Sequence, residues 1–186
     1  MYQNRKFKPL EKIRYWIQYR FSFISCRIKQ MEIRRAKKED IARLLDLLSQ
    51  VLEIHAKLRP DLFMSGTTKY NQEQLEEMIN NDTKPIYVAI INDYVVGYAM
   101  CQIRVPTSNM YPIKVFHLDD LCVDEKYRKQ GIGKALYQKV VETAKENNCY
   151  EVTLNVWPGN DAALKFYEKM GMKTRSVFME HIMKSK

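Results

Sequence analysis

The sequence predicts one α/β domain in which strand-like and helix-like segments alternate along the chain. Three observations support this prediction. The chain has 186 residues, of which 46% are hydrophobic, and this is enough to bury one sizeable core. Short apolar runs rich in β-branched residues alternate with longer segments whose apolar residues recur at helical spacing. A turn with two glycines, at residues 128–134, joins one of the strand-like runs to a helix-like segment.

The first half of this domain is predicted to contain a strand, two helices and a hairpin. A strand at 31–35 precedes a helix, and a second helix covers about 71–79. Strands at 86–91 and 95–103 flank Asn92-Asp93, a pair typical of a tight turn. The first helix presents its apolar residues on one face: Ile41, Leu44, Leu45, Leu48, Val51 and Leu52.

The second half is predicted to alternate strand and helix more regularly. A strand at 114–123 leads into the glycine turn, and a helix follows at about 135–145. A strand at 150–156 then precedes another helix, and a final strand is expected near 174–183.

The glycine turn is predicted to bind an anion, for which a pyrophosphate is the expected group. Its residues are Arg128, Lys129, Gln130, Gly131, Ile132, Gly133 and Lys134. Such a turn at a helix start aims several backbone N–H groups at one point, beside the positive end of the helix dipole. Because Gly131 and Gly133 carry no Cβ, a phosphate can approach the main chain closely. The spacing matches neither the dinucleotide-binding glycine turn nor a Walker loop.

A second pattern follows the strand-like run at 151–157. It has the form Asn-x-x-Ala-x-x-x-Tyr-x-x-x-Gly, running from Asn160 through Tyr167 to Gly171 and followed by Met172. Asn160 is suited to begin a helix as its N-cap, and Gly171 is suited to end it.

The two patterns, in this order, resemble the GNAT acetyltransferases over roughly residues 31–183, although Met172 replaces the usual aromatic residue. The resemblance implies a mixed, mostly antiparallel sheet that is flanked by helices and splayed open between its fourth and fifth strands. It also implies that acetyl-CoA binds in this gap. The implied function is direct transfer of the acetyl group to a primary amine of a small molecule or peptide, with both substrates bound.

The resemblance assigns cofactor-binding roles to several segments. The glycine turn would hold the pyrophosphate, and backbone groups of Leu121, Cys122 and Val123 would pair with the pantetheine arm like an added strand. The N–H of Val123, or of its neighbour Cys122, would stabilise the oxyanion. Asn155 and Asn160 are candidates for contacts with the arm, and Asn160 could instead serve only as a helix cap.

The chemistry requires a base and an acid. Deprotonating an alkylamine of pKa ~10.4 at pH 7 costs about 4 to 5 kcal/mol. The resemblance implies that Tyr167 is the acid that protonates the leaving thiolate, with packing as the alternative role. For the base, His117 and Asp119 are the candidates, with a water chain or a polar cluster without a catalytic role left open. Strand alternation predicts that His117, Asp119 and Leu121 share one face while Asp120 lies on the other.

The acceptor pocket of this family is built from segments that correspond to 55–63 and 105–111. His55, Asp61, Phe63 and Tyr111 are candidate lining residues, and each could equally be structural. The sequence therefore predicts an amine acceptor without identifying it.

The first 30 residues differ in character from the domain at 31–186. They carry eight Lys and Arg and one Glu, so +7 of the net charge of +9 lies there, interleaved with aromatic residues. This basic N-terminal extension could lie on an anionic membrane or a partner, bind nucleic acid, or be dispensable, with the domain starting at Met31. Any membrane or nucleic-acid contact is expected through this extension.

The cysteines favour a reducing, cytoplasmic location. Cys26, Cys101, Cys122 and Cys149 show neither paired spacing nor histidine partners, so neither a disulfide nor a metal site is predicted. A homodimer is common in the family, but no residue establishes one here.

Two alternative functions remain open: a non-catalytic acyl-CoA sensor or partner-binding module, and an acetyltransferase that acts on RNA or on a ribosomal or RNA-associated protein.

Overall fold

The computed structural model describes residues 31–106 and 111–183. The predictions for residues 1–30 and for Cys26 lie outside the described residues. The elements, in chain order, are β1 (Met31–Arg35), a 3-10 turn (Lys38–Asp40), α1 (Ile41–Leu58), α2 (Gln72–Ile79), β2 (Ile86–Ile91), β3 (Tyr94–Arg104), β4 (Val115–Val123), a second 3-10 turn (Glu125–Tyr127), α3 (Ile132–Glu146), β5 (Glu151–Thr153) and α4 (Asp161–Lys169).

The strands form one mixed sheet, as predicted. Their order is β1-β2-β3-β4-β5, so each strand lies beside its neighbour in the sequence. The pairs β2–β3 and β3–β4 are antiparallel, whereas β4 and β5 are parallel. Parallel strands require a crossover connection, which α3 provides here.

The sheet separates two apolar cores, and β3 contributes to both. Tyr98 and Met100 pack on the face covered by α1 and α2, while Ala99 and Cys101 pack on the face covered by α3. This follows from the alternation of side chains along a strand. Residues of β3 are therefore buried on both faces of the sheet. This packing holds β3 in place beside β4, the strand that carries candidate site residues.

The sheet opens between β4 and β5. The two strands pair only from Val115 to His117, opposite Glu151 to Thr153, although β4 continues to Val123. The strand predicted at 150–156 is therefore shorter, because the chain diverges from β4 after Thr153 and no ladder partner remains. The resulting gap is the splayed opening that the resemblance implies.

A β-bulge in β4 makes one prediction from the sequence wrong. Met100 of β3 lies opposite Asp120 and Cys101 lies opposite Leu118, so Asp119 is an extra residue without a partner. A bulge resets the alternation of side chains. Asp119 and Asp120 both contact residues of the α1/α2 face, whereas Leu121 packs in the α3 core.

The strand predicted near 174–183 is also wrong, because the described residues 173–183 form no strand. Ion pairs hold this segment at two points, Arg175 to Glu151 and Glu180 to Arg59. The apolar pattern that predicted a strand is exposed instead, since no ladder partner pairs with it. The exposed residues are Val177, Phe178, Met179, Ile182 and Met183.

Within the described ranges, no helix is both long and apolar enough to cross a bilayer.

Candidate active site

The N-terminus of α3 lies at the glycine turn that is predicted to bind an anion. Gly131 is its N-cap, with φ of +83°, and no atom lies within 4 Å of where its Cβ would be. The first helical hydrogen bond runs from the Ala135 N–H to the Gly131 carbonyl, so the N–H groups of 132–134 have no helical partner. The left-handed Gly131 explains why the helix begins at Ile132, earlier than predicted. The turn therefore fits a phosphate at its open side.

Basic side chains surround this turn. Arg128, Lys129 and Lys134 are exposed, and the Nε of Arg128 donates to the Val123 carbonyl at 3.1 Å. Ile132 is buried in the α3 core and so contributes only its main chain to the turn. The arrangement joins the predicted pyrophosphate site to the end of β4, and it is consistent with binding of a molecule that carries both a phosphate and an extended arm.

The end of β4 presents its main chain to the gap. The Asp124 N–H donates to the Val96 carbonyl of β3 at 2.9 Å. Since alternate residues of a strand point their main-chain groups to the same neighbour, Val123 faces the gap and Cys122 faces β3. Gly97 permits this close pairing, because a Cβ there would lie 2.7 Å from the Cys122 carbonyl oxygen.

Tyr167 lies on α4, with its ring between those of Tyr137 and Phe166. The ring centroids are 6.1 Å and 5.0 Å apart, respectively. Burial, followed by the negative charge of Asp120, raises the pKa of the Tyr167 phenol. The phenol is therefore protonated at neutral pH and lies within electrostatic range of the bulge in β4.

Asp119 is held by two residues of the loop between α1 and α2. Its Oδ2 accepts from the Lys69 ammonium at 2.6 Å and from the Tyr70 hydroxyl at 3.0 Å. Burial acts to raise the pKa of Asp119, but the hydrogen bond and charge of Lys69 outweigh it and lower the pKa. Asp119 is thus a stable carboxylate that already has a cationic partner.

Asp120 has the opposite character. Its Oδ2 accepts from the hydroxyl of the fully buried Tyr98 at 2.8 Å. Burial raises the pKa of Asp120 to about 6, against the stabilising hydrogen bond from Tyr98. A carboxyl group with this pKa can both accept and release a proton near neutral pH.

His117 lies two residues before Asp119 and is 6% exposed. Its Nδ1 is 2.9 Å from the Thr153 hydroxyl of β5. Burial, and then the positive charge of Arg104, lowers the pKa of His117, so the ring is neutral at pH 7. Beside this pair, a cavity of about 550 Å³ opens between the start of β4 and Thr153 at the end of β5, and Arg104 and Arg175 line it.

Two of the four predicted acceptor residues belong to one aromatic group. The rings of His55 and Phe63 are 5.1 Å apart, and Phe63 packs edge-on against Trp157 at 5.2 Å. Burial and the charge of Lys69 lower the pKa of His55. Lys69 is therefore in electrostatic range of His55, His117 and Asp119.

The other two predicted acceptor residues lie in different settings. Asp61 forms an ion pair with Arg59, which also binds Glu180 of the C-terminal segment. Tyr111 is 85% exposed, ahead of β4.

The two predicted asparagines differ in their contacts. The Oδ1 of Asn160 accepts from the Ala163 N–H at 3.2 Å, as expected of the N-cap of α4. Asn155 is exposed just after β5, on the side where the strands diverge.

Three residues of this site were not found from the sequence: Lys69, Asp120 and Trp157. Asp120 was assigned to the opposite face because nothing in the sequence marks a bulge. Lys69 lies in a polar loop without any pattern, and only the fold brings it across fifty residues to Asp119. Of the three residues, only Trp157 could have been noticed from the sequence, because it is an aromatic residue at the end of the strand-like run at 151–157.

Comparison with known proteins agrees with this geometry. Residues 49–172 match the model of the acetyltransferase (GNAT) family. The chain is 30% identical over 146 residues to a glucosamine 6-phosphate N-acetyltransferase of Trypanosoma brucei brucei, covering 78% of this chain and 91% of that protein. It is 27% identical over 150 residues to an uncharacterized N-acetyltransferase of Methanocaldococcus jannaschii, and the match covers 81% of this chain and 64% of the relative.

A solved structure shows the same architecture. A mutant of the protein BH1408 from Bacillus halodurans superimposes with a TM-score of 0.78 at 27% identity, over 82% of this chain and 99% of that one. The family match, this likeness and the open gap between β4 and β5 lead to one assignment. The chain belongs to the GNAT family and is an acetyl-CoA-dependent N-acetyltransferase.

Proposed function

We propose that this enzyme transfers the acetyl group directly to a primary amine of a small molecule or peptide, while acetyl-CoA and the amine are both bound. The observation that carries the proposal is the gap between β4 and β5. Pairing of β4 with β5 ends at His117, Asp119 and Asp120 follow on β4, and the glycine turn before α3 comes after the open end of this strand.

Acetyl-CoA supplies the activated acetyl group as a thioester. The free N–H groups at the start of α3, with Arg128, Lys129 and Lys134, would hold its pyrophosphate. The main chain at the end of β4 would pair with the pantetheine arm. Between the two predicted donors for the acyl oxygen, the orientation of β4 favours the N–H of Val123 over that of Cys122.

Two groups are proposed to receive the proton of the amine. His117 is neutral at pH 7, and Asp120 has a pKa of about 6. Asp119 is a weaker candidate, because its ion pair with Lys69 lowers its pKa and therefore its basicity. Asp119 is instead suited to orient an ammonium.

Tyr167 is proposed as the acid for the departing thiolate. Its raised pKa keeps the phenol protonated, so it can donate a hydrogen bond to the sulfur while negative charge develops there. Its hydroxyl makes no hydrogen bond to another residue of the described chain, so it is available to a ligand.

The acceptor is proposed to enter past the aromatic group of His55, Phe63 and Trp157. The cavity lined by Arg104 and Arg175 lies next to Thr153, the partner of His117. The positive charges of Arg104 and Arg175 would attract an acceptor that carries an acidic group. The glucosamine 6-phosphate N-acetyltransferase among the relatives makes an amino-sugar phosphate a class worth testing.

A homodimer is proposed from the C-terminal segment. Phe178 is 95% exposed and Met179 is 82% exposed, in a segment that ion pairs hold next to β5 and α1. Apolar surface of this extent favours burial against a second copy. Sedimentation velocity should show a dimer that Phe178→Glu converts to a monomer; a monomeric parent protein would refute this proposal.

The location is proposed to be cytoplasmic, and the extension at 1–30 is proposed to be dispensable for catalysis. If the extension instead directs the enzyme to a ribosomal or RNA-associated acceptor, the full chain should bind RNA in a salt-dependent manner. That binding would be absent from a chain starting at Met31.

The decisive experiment measures thiol release from acetyl-CoA with a panel of amines. The panel contains polyamines, aminoglycosides, amino acids, peptides with free N-termini and glucosamine 6-phosphate, with a reaction lacking amine as control. Turnover on one class supports the proposal and identifies the acceptor. Tight acetyl-CoA binding without turnover on any amine would favour a sensor instead.

A further inference from the structure

A lysine of this chain already pairs with Asp119, the carboxylate proposed to orient an acceptor ammonium. The Nζ of Lys69 lies 2.6 Å from Oδ2 of Asp119, and its side chain is 43% exposed. Lys69 also interacts electrostatically with His117 and Asp120. Its primary ammonium is therefore within electrostatic range of both groups proposed to accept the proton of the amine.

The setting of Lys69 differs from that of other paired lysines. Lys38 makes a comparable ion pair, 2.9 Å from Glu76, but its partner lies on α2, outside the bulge in β4. Burial acts to lower the pKa of Lys69, and the hydrogen bond and charge of Asp119 outweigh it, so the resting amine is charged. A charged amine is not a nucleophile, and its reaction must wait for loss of a proton.

We propose that Lys69 is itself an acceptor and that the enzyme acetylates it slowly when no external amine is bound. This inference rests on the proposed function. A proton passes from Nζ to His117 or Asp120, and the neutral nitrogen forms a bond to the acetyl carbon of acetyl-CoA. The thioester C–S bond breaks, its electron pair stays on sulfur, and the thiolate takes a proton from Tyr167. The new amide nitrogen gives up its second proton, which restores the Tyr167 phenol, and His117 or Asp120 releases the first proton to solvent. The products are an amide at Lys69 and free CoA.

The loop that carries Lys69 permits this reaction. Residues 59–71 form no helix or strand, and the four-carbon stem of lysine can swing its nitrogen over several ångströms. Besides Asp119, Nζ lies 5.3 Å from the Tyr70 ring centroid. Apart from the ion pair with Asp119, movement of Nζ therefore exchanges only its contact with the Tyr70 ring.

Acetylation would also change the site itself. An acetylated lysine carries no charge, so Asp119 would lose its cationic partner. The pKa of Asp119 would then rise, and its carboxylate would be open to the ammonium of an external acceptor. Lys69 thus acts as an internal competitor for the acceptor position until it is modified.

The test incubates the full chain with acetyl-CoA and maps acetylated lysines by peptide mass spectrometry. We expect Lys69 to be labelled at least about tenfold faster than Lys38, because proximity raises the effective concentration of the amine. The rate per molecule should not change on dilution, and Tyr167→Phe should slow labelling of Lys69 but not of Lys38. Equal labelling of the two lysines, or none at Lys69, would overturn the inference.

The amine panel run on the same preparation separates the two proposals. Turnover on an external amine without labelling of Lys69 removes only the inference, whereas absence of both also removes the proposed function. A measurement without acetyl-CoA checks the charge relationship: Lys69→Gln should raise the pKa of Asp119 in an NMR titration, and Lys38→Gln should not. An unchanged pKa in Lys69→Gln would contradict the proposed role of Lys69 as the partner of Asp119.

Discussion

Asp119 and Asp120 are consecutive in the chain, lie on the same face of the sheet, and have pKa values shifted in opposite directions. The ammonium of Lys69 stabilises the charge of Asp119, whereas burial raises the pKa of Asp120 against the hydrogen bond from Tyr98. The bulge therefore places one permanently charged carboxylate beside one that titrates near neutral pH.

Stability should respond oppositely to removal of the two charges. The pKa of Asp120 rises from 3.8 to about 6 on folding, so the folded state loses stability as pH rises through that window. Asp120→Asn should therefore stabilise the protein at pH 8 by about 1 to 3 kcal/mol, with the gain vanishing near pH 4. Urea unfolding at both pH values measures this.

Asp119→Asn is the matched control. The pKa of Asp119 is lowered on folding, so its contribution is present above its ordinary value of 3.8 and is lost as pH falls through the folded value. This variant should be destabilised at pH 8. Loss of stability in both variants would show that Asp120 does not carry a buried charge.

The turn at Gly131 should control CoA binding. Gly131→Ala places a Cβ at the open side of the turn and forces a left-handed alanine, at a cost of about 1 to 2 kcal/mol. Gly66→Ala carries a similar backbone cost at φ of +78°, also in open space, but lies in the α1–α2 loop. Calorimetry should show about tenfold weaker CoA binding only for Gly131→Ala. Equal losses would point to destabilisation alone.

Tyr167→Phe should reduce turnover without weakening CoA binding. Loss of a positioned general acid lowers kcat by about 10² to 10⁴. Tyr137→Phe removes the same atom from the neighbouring ring, 6.1 Å away, and should leave kcat almost unchanged. If both variants behave alike, Tyr167 has only a packing role.

The pH profile should separate the two proposed bases. A base must be unprotonated to act, so kcat/KM should fall on the acidic side. Asp120 gains a proton as pH falls through about 6, and His117, whose pKa burial lowers, gains one only below the usual histidine range. His117→Gln should remove or shift this acidic limb if His117 is the base. Thr153→Val, which removes only the partner of Nδ1, should shift it by a smaller amount. An unchanged limb in His117→Gln would assign the proton to Asp120.

Much of the fold could be predicted because its signals are local. Apolar periodicity located α1 and the hairpin of β2 and β3, and the glycines at 131 and 133 marked the turn before α3. The backbone conformation that these glycines allow depends only on residues a few positions away in the sequence. Two predictions were wrong: the face of Asp120 and the strand near 174–183. Both features depend on how a segment pairs with a neighbouring strand, and the periodicity of a single segment contains no information about its pairing.

The sequence by itself determined the mixed α/β order, the glycine turn before α3 and the position of Tyr167 within its helix, because each depends on neighbours a few residues away. The tertiary structure alone decided that β4 bulges at Asp119 and that Lys69 reaches it across fifty residues. It also decided the opposite pKa shifts of the two aspartates. Burial and charge act through space, so their effects on these carboxylates exist only once the chain has folded.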